Sequence, residues 1–130
     1  MRLVIDTHFV IWMGLEPDRL SEAELELCFS PNNETFVSAA SIWEIRLKYH
    51  KFRHAAEQGF LSPTGAINIC YATGLQIIPL SAATCAWVIE PALVHKDPFD
   101  ELLLAQAASM GARLLTRDNA LLEHPLAISV

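Results

Sequence analysis

Four acidic residues stand where carboxylates could do chemistry: Asp6 in LVIDTH, Glu44 in SIWEIRLK, Asp100 in HKDPFDELLLAQA and Asp118 in LLTRDNAL. Each also has an ordinary structural explanation. Asp6 can cap the helix that follows it, because an Asp side chain accepts bonds from free helical N–H groups. Glu44 can pair with Lys48 four residues on, an interaction worth a few tenths of a kcal/mol. Asp97, Pro98 and Asp100 form a helix start, with a cap, a proline at the first position and an acid near the positive dipole end. For Asp97 that structural role is the preferred one. Asp118 can cap a short turn opening at Asn119. As a set, the acids are harder to explain by folding alone. Carboxylates gathered on one edge repel, and a divalent cation makes such a cluster tolerable. Oxygen-only ligation suits a hard ion, Mg²⁺ or Mn²⁺, rather than zinc. The chemistry indicated is metal-assisted phosphate-ester hydrolysis.

Positioning these acids requires elements that converge, and hydrophobic periodicity supplies them. Leu3-Val4-Ile5 reads as a buried strand running into Asp6, followed by apolar residues at helical spacing over 7–13 that stop at Gly14. Ser21 opens an amphipathic helix with Glu24 at the capping-box position. Thr35-Phe36-Val37 is a second strand, and a long helix runs from about Ala39 to Phe52. Residues 53–62 read as a polar connection, and Pro63 starts a helix to about Ala72. Gln76-Ile77-Ile78 is a third strand. Ser81 caps a helix expected to reach about Ile89, and Pro98 begins another ending near Gly111. Arg113-Leu114-Leu115 is a fourth strand and Ala127-Ile128-Ser129 a fifth. Strands separated by helices imply a parallel sheet in an α/β sandwich. Ligands of such sheets bind beyond the carboxyl ends of the strands. Asp6 and Asp118, from distant parts of the sequence, are expected on that one edge.

Composition limits the alternatives. With 130 residues and 52% hydrophobic content, one compact domain over 1–130 is expected. No apolar stretch approaches a membrane span. MRLVID reaches an acid too early for a signal-peptide core, so export is not expected. Cys28, Cys70 and Cys85 are widely spaced with no CxxC pair, which disfavours structural zinc and a disulfide framework and points to a reducing cytoplasm. The net charge of −6 runs against nucleic-acid binding. Residues 46–54, RLKYHKFRH, concentrate Arg46, Lys48, Lys51 and Arg53. This run is either a solvated helical face or a strip contacting phosphates. His50 and His54 stand four apart but lack the glutamate of HExxH. His8 and His95 lie near acids, where they could touch substrate; solvated or core placements are commoner for histidine.

Together, LVIDTH, SAASIWEI, HKDPFDELLLAQA and LLTRDNAL resemble the signature blocks of PIN-domain ribonucleases. The likeness is greatest to VapC-type toxins of bacterial toxin–antitoxin pairs, in the branch carrying a DPFD block. The blocks occur in the family's order, and the match is weakest from about Arg53 to Leu93. The resemblance implies a three-layer α/β/α sandwich around a mostly parallel sheet of about five strands. It implies Asp6, Glu44, Asp100 and Asp118 as catalytic metal ligands for Mg²⁺, with Mn²⁺ as a substitute. Asp97 becomes an auxiliary acid, and Thr7, Ser41 and Thr116 become neighbours that orient carboxylates or water. The implied reaction hydrolyses RNA to 5′-phosphate and 3′-hydroxyl ends, with Arg46, Lys48 and Lys51 as backbone contacts. The implied partners are RNA, a cognate antitoxin and a second copy of the chain, with no membrane.

Two other readings use the same residues. The carboxylates could serve a metal-dependent phosphohydrolase acting on DNA or nucleotides. Alternatively, the fold could act without catalysis, as a protein-interaction module.

Overall fold

Side chains along a strand point alternately to opposite faces, and here that alternation sorts the core into two halves. The computed structural model describes residues 1–51, 59–95 and 97–130. Five strands, β1 (Arg2–Ile5), β2 (Glu34–Ser38), β3 (Gln76–Ile78), β4 (Arg113–Leu115) and β5 (Ala127–Ile128), form one sheet in the order β3-β2-β1-β4-β5. Every pairing is parallel, with Val4 opposite Phe36 and Leu114, and Ile5 opposite Leu115. β1 therefore lies at the centre, where the chain turns from building one side of the sheet to building the other.

Helices α1 (Thr7–Leu15), α2 (Glu22–Phe29), α3 (Ala39–Lys51) and α4 (Pro63–Thr73) contribute to one face. Phe9, Val10, Cys28, Ile45, Ala66 and Cys70 from these helices pack against Ile5, Val37 and Leu115. The opposite face holds α6 (Pro98–Met110), with Leu103, Leu104 and Ala107 against Val4, Phe36 and Leu114. Two short helices, α5 (Ala82–Cys85) and α7 (Asn119–Leu122), complete the fold. The arrangement is a three-layer α/β/α sandwich around a parallel five-stranded sheet.

Local chemistry explains the boundaries. Ser21 and Glu24 form a reciprocal capping box at α2. Ser62 caps α4 ahead of Pro63, and Gly74 ends that helix in the left-handed conformation (φ 77°). Two expectations require correction, and one element was not anticipated. Gly14 does not end α1, which runs to Leu15; a Cβ there would collide with Ile69 Cδ1, so this glycine permits close approach of α4. The helix expected to reach Ile89 stops at Cys85, with Ala86 N and Trp87 N bonded back in a tightened turn. Trp87 and Val88 are exposed while Ile89 is buried, so no helical apolar face continues. Finally, a 3₁₀ turn at Pro17–Arg19 joins α1 to α2. Phe52, the expected end of the long helix, and residues 53–58 of the expected polar connection lie outside the described residues.

Candidate active site

Asp6 follows β1 directly, and its N–H donates to Leu115 O at 2.9 Å, joining it to the end of β4. Its backbone is extended (φ −60°, ψ 148°), so it caps α1 by accepting from His8 N at 3.1 Å. The cap uses Oδ1. Oδ2 accepts from Thr116 Oγ1 at 2.7 Å, so capping leaves the other oxygen for a second task. Thr116 Oγ1 in turn accepts from Asp118 N at 3.0 Å, and Asp118 caps α7 by accepting from Ala120 N at 2.9 Å. One buried hydroxyl thus links the acids that follow β1 and β4.

Glu44 reaches this edge from α3. Thr7 Oγ1 lies 3.0 Å from Glu44 Oε1 and 2.9 Å from Ser41 Oγ. A carboxylate only accepts, so the Thr7 hydroxyl donates to Glu44. Lys48 Nζ sits 3.1 Å from Glu44 Oε2, the i,i+4 pair that the spacing allows. Asp100 comes from the first turn of α6. The other end of α6 lies at the start of β1, where Arg2 Nη1 donates to Met110 O at 3.1 Å, so the helix N-terminus faces the carboxyl edge. Asp97 caps α6, accepting from Phe99 N at 2.9 Å and Asp100 N at 3.4 Å. His95 Nε2 lies 2.9 Å from Asp100 Oδ2. The acids grade in depth: Asp6 is buried, Glu44 and Asp100 are half-buried, and Asp118 is exposed.

Their environments differ. Burial pushes the Asp6 carboxyl up, but bonds from His8 and Thr116 outweigh it and hold the group below its ordinary value. The hydrogen bond to Asp6 raises His8 against the opposing effect of burial. Asp100 is raised, first by burial; the His95 bond opposes this, and the charges of Asp97, Asp6 and Asp118 add to the rise.

Among the described residues, no group of three or more His, Cys, Asp or Glu side chains is arranged to hold a metal ion. Each carboxylate is turned toward a donor of the protein: Asp6 to Thr116 and His8, Glu44 to Thr7 and Lys48, Asp100 to His95, Asp118 to Ala120 N. The donor set itself is entirely oxygen, and that chemistry fits a hard divalent cation.

The basic run divides. Lys48 is engaged by Glu44, whereas Arg46 lies over the Trp43 ring at 4.8 Å, beside a cleft lined by Tyr71 and Ile77. Lys51 is exposed at the end of α3; Arg53 and His54 lie outside the described residues. Sequence reasoning assigned no role to the contact between Glu24 and Arg117. Arg117 Nε and Nη2 each donate to a Glu24 oxygen at 2.6 Å, and Nη2 also donates to Arg19 O at 2.8 Å. The guanidinium lies over Trp12, 4.6 Å from the ring centroid. A capping-box glutamate carries no sign of a second partner 93 positions away.

A sequence profile of the PIN domain matches residues 3–125. The chain is 31% identical over 122 residues to Ribonuclease VapC22 of Mycobacterium tuberculosis, spanning 94% of this chain and 91% of that protein. The fold is similar to that in a crystal structure of VapBC2 from Rickettsia felis bound to a DNA fragment from their promoter. There the TM-score is 0.66 at 16% identity, covering 100% of this chain and 98% of that one. It is also similar to a domain of a functionally unknown protein from Methanocaldococcus jannaschii, with a TM-score of 0.56 at 14% identity, covering 99% of this chain and 90% of the other. With the PIN profile matched over residues 3–125 and a ribonuclease relative aligned over 94% of the chain, this chain belongs to the VapC-type branch of the PIN domain family.

Proposed function

We propose that this chain is a metal-dependent endoribonuclease, the toxin of a toxin–antitoxin pair, with Asp6, Glu44, Asp100 and Asp118 holding Mg²⁺. The observation that supports the reading is that acids carried by β1, β4, α3 and α6 lie toward one edge of the sheet, with Asp6 and Asp118 joined through the Thr116 hydroxyl and Glu44 bonded to Thr7 beside Asp6. Mn²⁺ is an acceptable substitute, since both are hard ions satisfied by carboxylate oxygens and water. A bound divalent cation supplies electrostatic stabilisation of charge developing on a phosphodiester.

The rest is the work of this chain. Thr116 fixes the rotamer of Asp6, Thr7 fixes that of Glu44, and Ser41 fixes Thr7. Buried hydroxyls of this kind keep carboxylates aimed with little loss of conformational freedom on binding. Asp97 serves the site by starting α6 and by adding negative charge beside Asp100. RNA, drawn toward an acidic centre, needs cations at the rim, and Arg46, Lys48 and Lys51 on α3 are the assigned backbone contacts. The chain acts as a single domain in the cytoplasm, as a homodimer restrained by a cognate antitoxin. No helix among the described residues is long and apolar enough to cross a membrane.

Cleavage of a mixed structured RNA by the purified protein, with Mg²⁺ or Mn²⁺ and with EDTA, tests the reading. Asp6→Asn and Asp100→Asn are run alongside. Metal-dependent cleavage by the wild type alone supports it. Identical behaviour of all three proteins removes the acids from the chemistry and favours a non-catalytic module.

A further inference from the structure

We propose that the Glu24–Arg117 pair is a clamp that holds the Thr116–Asp118 segment in register for cation binding, which makes Arg117 a positioning residue of the site. The inference rests on the metal-dependent nuclease reading above.

The segment between β4 and α7 is three residues long, and each residue is used differently. Thr116 is buried and bonded to Asp6, while Asp118 is exposed and caps α7. Arg117, between them, points away from the acids toward α2. There it makes paired bonds to Glu24, a third bond to Arg19 O and a stack on Trp12. The parallel fork of guanidinium and carboxylate fixes orientation as well as distance, which a single point contact cannot do. Arg19 lies over the same Trp12 ring at 4.8 Å, so Trp12 contacts two guanidinium groups.

Glu24 is equally constrained. Its Oε2 accepts from Ser21 N at 2.8 Å as part of the capping box, and the residue is only 6% exposed. A carboxylate buried to that degree requires a fixed counter-charge. The segment after β4 therefore rests on two opposite supports: Thr116 ties it to Asp6 inside the site, and Arg117 ties it to α2 outside. With Thr116 and Arg117 held on its N-terminal side and its own side chain capping α7 on the other, Asp118 has little freedom in φ and ψ, and the direction of its carboxylate follows. An RNA-contacting role for Arg117 fits less well, because its Nε and Nη2 are already committed within the protein.

The test uses Arg117→Lys, Glu24→Gln and the double reversal Glu24→Arg with Arg117→Glu. Mn²⁺ affinity is read directly from the free-ion electron paramagnetic resonance signal, without RNA. Hydrogen exchange of the Asp118 and Ala120 amides is followed in parallel, also without metal. The expected result is Mn²⁺ binding weakened about tenfold or more in both single variants, the range seen when orienting partners of ligands are removed. Exchange at Asp118 and Ala120 should accelerate while that at Leu114 and Thr116 stays slow, and the double reversal should recover part of both effects. Unchanged exchange at Asp118 overturns the clamp whatever the metal does. Unchanged Mn²⁺ affinity with a raised KM and a shallower salt dependence of cleavage also overturns it, since that result assigns Arg117 to RNA. A wild type that binds no Mn²⁺ refutes the nuclease reading instead, and the exchange data identify which of the two has failed.

Discussion

Thr116 Oγ1 and Asp6 Oδ2 lie 2.7 Å apart although 110 positions separate them in the chain. The register that sets Ile5 opposite Leu115 brings the residues after each strand side by side. The single hydroxyl hydrogen goes to Asp6, and a lone pair remains for the amide of Asp118. One small side chain therefore sets two acids at once.

Thr116→Val keeps the shape and removes both bonds. A buried carboxylate oxygen loses its donor, at a cost of about 1–3 kcal/mol. RNA cleavage should fall about 10- to 100-fold, as when other orienting partners of metal ligands are lost. Thr116→Ser, which retains the hydroxyl, should keep most of the activity. Urea unfolding and cleavage rates check both, and a Val variant as fast as wild type would sink the argument.

Lys48 neutralises Glu44 at the site edge, so it competes with any cation Glu44 is asked to hold. Lys48→Met should therefore lower the Mn²⁺ concentration giving half-maximal cleavage. The shift should be about fivefold, the ~1 kcal/mol upper end for exposed pairs, because Glu44 is half-buried. The loss of one phosphate contact should appear separately, as a shallower dependence of KM on salt. A titration of Mn²⁺ at saturating RNA separates the two effects.

The Glu24 carboxyl is held below its ordinary value first by the Arg117 bond, against burial, with Ser21 adding to the shift. A lowered folded-state pKa contributes stability that is complete above the unfolded value and is lost as pH falls through the folded one. Glu24→Gln should cost about 2 kcal/mol at neutral pH, the scale of a charge-assisted bond. As pH falls below the ordinary carboxylate range and through the lowered folded value, the two proteins should converge, because the wild type loses its advantage there. Urea midpoints across this range measure it, and parallel curves would contradict the assignment.

Thiol reactivity should be selective. Cys28 and Cys70 are buried, and Cys85 is exposed. Burial, with the charge of Glu24, pushes the Cys28 thiol up to about 11, and burial raises Cys70 as well. At neutral pH a disulfide reagent should label Cys85 alone in the native protein and all three cysteines in denaturant. Labelling of Cys28 without denaturant would show that α2 opens readily.

The five strands and their alternation with helices were legible because each strand is a short apolar run and each principal helix begins with a Ser, Asp or Pro signal. The carboxyl-edge placement of Asp6 and Asp118 followed from that alternation alone. Gly14 misled because its effect is tertiary: glycine costs a helix about 1 kcal/mol in isolation, yet here it admits the side chain of Ile69. The segment after Cys85 misled because its apolar residues look helical in sequence, although Trp87 and Val88 face outward and only Ile89 reaches the core. His8 and His95 stand near Asp6 and Asp100 in the sequence, but the Glu24 partner of Arg117, 93 positions away, depends on tertiary geometry that no local pattern encodes.

The strand order also governs when the acid edge comes into existence. β1, at the centre, is made first, but its neighbour β4 arrives only after β2, β3 and the helices between them. A growing chain that has delivered Asp6 and Glu44 still lacks Thr116 and Asp118, and Asp6 has no hydroxyl to fix it. Pairing over such sequence separations is also slow to form. A chain interrupted before Thr116 therefore carries Asp6 without the hydroxyl that joins it to the Asp118 segment in the finished fold.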